Sequence, residues 1–126
     1  MARIEVRGEA LLVRLNPIEK VAALRRNITV LLRSVREVEV VDQPLQGLVP
    51  ERVTMGIGAS TAPARGVATV GPRAKTSDGG QALVVVYFDH RSIAVTLDQS
   101  GPWRLLVVSS RRADEVAAEV RRAAGV

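Results

Sequence analysis

The chain has 126 residues, 47% of them hydrophobic and 25% charged, with a formal net charge of +5 and no cysteine. That length closes one core as a single domain, 1-126, without staples, and the composition lies far from that of disordered chains. The missing cysteines exclude a disulfide framework and every thiolate metal site; no stretch approaches the roughly 18 apolar residues of a membrane span, so the cytoplasm is the simplest compartment.

In chain order, the first seven residues alternate charge with apolar side chains and do not read as a secretory signal. A strand follows over 9–15, with Leu11, Val13 and Leu15 on one face. Asn16-Pro17-Ile18-Glu19 starts a helix: an N-cap asparagine, a proline preset at the first helical position, and a glutamate able to reach back to the cap's amide. Ile18, Val21 and Leu24 form its narrow apolar stripe. Two β-branched runs, 27–32 and 35–41, read as strands; the apolar phase slips between Val35 and Val38, which predicts a β-bulge or bend in the second.

Residues 44–80 form an irregular, loop-rich middle, in which 52–57 and 66–70 are short strand candidates and Asp78-Gly79 is a turn leading into the next strand. Three strands follow, 81–88, 92–97 and 104–109, at the spacing of an antiparallel meander. The chain ends in a helix over 113–124, acidic at its start (Asp114, Glu115), basic at its end (Arg121, Arg122) and closed by Gly125. Its small core face is Val116, Val120 and Ala123 or Ala124, with Ala113 and Ala117 alongside. The fold class is therefore α+β, mostly antiparallel β: a strongly bent sheet or small barrel with a short helix after the first strand and a C-terminal capping helix.

The segment from Gly8 to Lys20, the strand from Ser34 to Val41 and the tail Leu105-Leu106-Val107-Val108-Ser109 before an Ala- and Val-rich helix carry a resemblance. Over about two thirds of its length the chain resembles uncharacterised bacterial, actinobacterial proteins with a pleckstrin-homology-like fold. The resemblance implies seven strands in a partly open barrel plugged by the last helix, and is nearly silent on function. Leu31 stands where a proline is expected, and the basic cluster that reads phosphoinositides in eukaryotic relatives is missing from the first hairpin loop.

Chemistry is sparse. His90 is the only histidine, between two strands in Asp89-His90-Arg91, where it reads as a solvated turn residue; no serine triad and no metal set can be assembled around it. Glu37 and Glu39 share a strand face as surface charge, and Gly56-Ile57-Gly58 lacks the lysine and the following helix of a phosphate loop. With one Trp, one Tyr and one Phe there is no stacking platform for single-stranded nucleic acid. Trp103 reads as a strand-start core residue or a partner anchor; Tyr87 and Phe88, adjacent on a strand, face opposite ways.

No catalytic, metal or cofactor site is expected. The favoured reading is a non-enzymatic PH-like scaffold that offers a loop surface or sheet edge to an unknown protein partner or forms a homo-oligomer. The alternative is binding of anionic lipid or another anionic ligand through a basic surface; lipid and nucleic acid are not favoured. The residues singled out for anion or partner contact are Lys20, Arg25, Arg26, Trp103, Arg111 and Arg112.

Overall fold

The computed structural model of the chain describes residues 2–23, 26–54, 60–62, 66–70 and 74–126, and of residues 21–23 and 60–62 the backbone only. Two sheets share the first core. The smaller is an antiparallel meander of β1 (Arg3–Arg7), β2 (Ala10–Arg14) and β3 (Ile28–Leu31). The first of these was not expected: the alternation Arg-Ile-Glu-Val-Arg is itself a strand, joined to β2 by the two-residue turn Gly8-Glu9 with Gly8 at φ +58°. Between β2 and β3 lies α1 (Pro17–Ala23), and its cap is the reciprocal pair its residues encode: Asn16 N–H donates to Glu19 Oε1 and Glu19 N–H to Asn16 Oδ1, each at 2.8 Å.

The expected apolar stripe of α1 needs correction. Ile18 is exposed, while Glu19 is fully buried. The side chain of Val21 and all of Leu24 lie outside the described residues.

The larger sheet runs in the order β4 (Val35–Val41), β10 (Ser92–Leu97), β11 (Trp103–Ser109), β9 (Gln81–Tyr87), β7 (Val67–Thr69) and β6 (Ser60–Ala62); β5 (Val53–Thr54) and β8 (Lys75–Thr76) pair with each other, and β8 also with β9. The bulge expected in β4 is present: Thr96 faces Glu37 and Leu97 faces Val35, which leaves Arg36 as the extra residue and lets Val35 and Val38 both point inward. The expected meander of 81–88, 92–97 and 104–109 is overturned. β10 and β11 pair antiparallel, but β9 lies parallel to β11, with Leu106 opposite Leu83 and Val108 opposite Val85. β11 is thus inserted between its two predecessors.

Hydroxyls tie that insertion together where three strand ends meet. Ser109 Oγ accepts from the Tyr87 amide at 3.0 Å and lies 3.0 Å from Ser92 Oγ, whose hydroxyl donates to the His90 carbonyl. Central strands covered on both faces should be apolar without a break. Accordingly Ala82–Val86 and Leu105–Val108 are all buried. Leu83, Val85, Ile93, Val95, Leu106 and Val108 face a core shared with Leu11, Val13 and Leu32 and closed by α3 (Ala113–Ala124). Ala82, Val84, Val86, Leu105 and Val107 face a second core.

The second core explains the middle of the chain. Its cover is a set of short pieces: Val49 from α2 (Leu48–Arg52), Val53 from β5, then Val70 and Ala74. A third helix therefore stands where strand was expected to begin at Arg52; of that strand Val53–Thr54 is present as β5, and 55–57 lie outside the described residues. Strand 66–70 is present as β7, antiparallel to β9, and the Asp78-Gly79 turn joins β8 to β9. The result is an α+β fold with a curled half-barrel of mostly antiparallel sheet and a C-terminal helix. None of the described helices is long and apolar enough to cross a membrane.

Candidate functional site

Among the described strands five have an edge that no other described strand covers: β1 and β3 in the small sheet, β4, β5 and β6 in the large one. An open edge displays main-chain donors and acceptors in the geometry that another strand needs. The edges differ in what guards them. At β4 the terminal helix intervenes: Arg121 Nε donates to the Val38 carbonyl at 2.9 Å. Thr29, Val30 and Leu31 of β3 line a groove of about 260 Å³ with Leu97, Pro102 and Trp103.

At β1 the edge opens into a groove of about 990 Å³, whose other wall is Ser110, Arg111 and Arg112 with Val116 and Glu119 of α3. The hairpin fixes which groups face it. Residues flanking a two-residue turn exchange main-chain bonds, so Arg7 pairs in this way with Ala10, and by alternation Glu5 with Leu12 and Arg3 with Arg14. The N–H and C=O of Ile4 and Val6 therefore point away from β2, toward the groove. Their side chains are half-buried against the first core, so the strand is held in place while its edge stays open.

The other face of β1 carries charge at every second position. Glu5 accepts from Arg14 Nε at 3.0 Å and Arg7 Nε at 3.2 Å. The hydrogen bond from Arg14, with the charges of both guanidinium groups, holds its carboxyl below the usual range. Arg3 has no ion-pair partner among the described residues. Across the groove Arg112 pairs with Glu115, which raises the guanidinium's pKa further and leaves it permanently charged.

The residues singled out in the sequence fall in separate places. Arg111 and Arg112 stand together, exposed, in the β1 groove and in a neighbouring one of about 330 Å³ with His90, Arg91 and Ser109. Lys20 and Arg26 are exposed on and after α1 and line neither groove, and Arg25 lies outside the described residues. Trp103 is half-buried, packed against the first core at the β3 groove. His90 is exposed in its turn, near the ring of Phe88 at 5.7 Å between centroids. The Gly56-Ile57-Gly58 segment lies outside the described residues.

Two features escaped the sequence. The edge strand β1 is one, although its alternation and the glycine after it were the signal for it. The other is the buried Glu19, which receives the Tyr87 hydroxyl at 2.6 Å on Oε2. No group of three or more His, Cys, Asp or Glu among the described residues is placed to hold a metal ion. Comparison with protein-family models, curated proteins and solved structures found no match to the chain.

Proposed function

We propose that the chain is a non-enzymatic interaction module that receives a protein strand along the free edge of β1. The observation that carries this is the set of outward main-chain groups of Ile4 and Val6, lying beside the groove that α3 walls. In strand addition the main-chain bonds supply affinity and the side pockets supply selectivity. The two walls are already held by the first core, so little ordering cost opposes binding. We take the scaffold as pleckstrin-homology-like, on the curled, mostly antiparallel sheet and the closing helix; the parallel β9 and β11 are where it departs from the expected meander.

The test is selection of displayed random heptapeptides on the full chain, followed by amide exchange of the complex. Enriched peptides with alternating apolar residues that protect the Ile4 and Val6 amides would support strand addition. Protection elsewhere would overturn it, as would the absence of any enriched peptide from a chain that sediments as a monomer. Flotation with anionic and neutral vesicles runs beside it. Binding to anionic vesicles alone, abolished by salt, would replace this reading with one of charge attraction through Arg3, Arg111 and Arg112.

A further inference from the structure

The identity of the incoming strand follows from the charges of β1 itself, and this step rests on the strand-addition reading above. Arg3, Glu5 and Arg7 share one face in the order plus, minus, plus, and Ile4 and Val6 carry the outward main-chain groups. In an antiparallel pair, side chains directly opposite each other interact, and like charges there are destabilising. Consider two copies of β1 related by a twofold axis. With the axis at Glu5, Glu5 faces Glu5 and Arg3 faces Arg7, which repels at every charged position. With the axis at Ile4, each Arg3 faces a Glu5, and the two Ile4 residues exchange the main-chain bonds that both already point outward.

A register centred on Val6 also matches charges, but it drives the Gly8-Glu9 turn of each copy into the strand of the other and uses Arg7, which already serves Glu5. The Ile4 register uses Arg3, the one arginine of β1 with no ion-pair partner among the described residues. We propose that the free edge of β1 is the seat of a second copy of this chain, the strands pairing antiparallel about a twofold axis at Ile4 with each Arg3 opposite Glu5 of the partner subunit. The two small sheets then form one continuous sheet of β3, β2 and β1 followed by their symmetry mates. Arginine or lysine opposite Arg3 on this edge is disfavoured, the more so because Arg14 of β2 already faces Arg3 from the other side, so the edge is selective as well as open.

Analytical ultracentrifugation of the full chain over a wide concentration range tests this. The wild-type protein is expected to be a dimer. Arg3→Glu, at an exposed side chain whose loss breaks no ion pair, places glutamate opposite glutamate twice and weakens the dimer at least about tenfold. Adding Glu5→Arg to it restores opposite charges and the dimer. Ile4→Pro removes an N–H that β2 does not use, and is expected to give a folded monomer by circular dichroism.

A wild-type monomer at every concentration, or a dimer indifferent to both Arg3→Glu and Ile4→Pro, overturns the proposal. If the protein is monomeric while selected peptides still protect the Ile4 and Val6 amides, the second copy is refuted and strand addition stands. If neither occurs, both readings fall.

Discussion

Tyr87, the last residue of β9, donates its hydroxyl to Oε2 of Glu19, the capping glutamate of α1, at 2.6 Å across 68 positions of sequence. Glu19 Oε1 meanwhile receives the Asn16 amide. A helix start and the end of a central strand are thus locked by one fully buried carboxylate. Burial, reinforced by the bond to Glu19, pushes the phenol of Tyr87 up to about 12. In the unfolded chain it titrates near its ordinary value of about 10. Because the folded value is the higher one, the contribution is complete below pH 10 and is lost as pH rises toward 12. Tyr87 is the only tyrosine, so its ultraviolet ionisation can be followed without ambiguity. A midpoint near 12 in the native protein, returning to about 10 in denaturant, is expected; a native midpoint near 10 would show that the pair does not form.

Removing the hydroxyl alone should be costly. Tyr87→Phe leaves Glu19 Oε2 buried with its donor gone, a loss of about 1–3 kcal/mol, and more where the group is charged. Glu19→Gln keeps an oxygen for the Asn16 amide or for Tyr87 and should cost less than Glu19→Ala, which also strips the helix start of its reciprocal bond, worth about 1 kcal/mol. Urea denaturation of the three variants would rank them. Equal losses for Gln and Ala would mean that the hydrogen bonds contribute little there.

The cap of α1 was legible because its partners sit three residues apart, and the bulge in β4 because a phase slip is local. The burial of Glu19 was not, since only the approach of a strand far along the chain decides it. The meander failed for a related reason. The spacing of the last three strands is the same whether β11 flanks its predecessors or slides between β9 and β10. The unbroken run from Ala82 to Val86 was a sign that β9 lies in mid-sheet, covered on both faces. The middle third hid its role because the second core is covered, among the described residues, by pieces of two to five residues, too short for any periodicity to show. The candidate edge was visible as alternation in the first seven residues, but the groove beside it exists only once α3 packs nearby.

The edge of β4 makes a contrasting prediction. Arg121 places its Nε on the Val38 carbonyl, so the helix occupies one of the acceptors that another strand would need. Arg121→Ala should lower stability by about 0.5–1.5 kcal/mol, the worth of one such bond, and should leave β4 more prone to strand pairing. Thermal unfolding with light scattering reads both effects. Unchanged stability and no added aggregation would show that the contact is incidental.

Gly66 separates two causes of strain. It has φ +68°, and a Cβ there would lie 2.3 Å from the ring of Phe88, whose own amide donates to the Gly66 carbonyl at 2.7 Å. Backbone in the left-handed region costs a residue with a side chain about 1–2 kcal/mol. The steric clash is with the far end of a side chain that is 66% exposed and can swing away. The backbone term should therefore dominate, and Gly66→Ala should cost about 1–2 kcal/mol both in the wild type and in a Phe88→Ala background. Phe88 itself has φ +51° in a turn that prefers asparagine or glycine, so Phe88→Asn should relieve strain at that position. A double-mutant cycle by urea denaturation decides the matter: if Phe88→Ala erases the cost of Gly66→Ala, the ring contact is the governing constraint and the backbone argument fails.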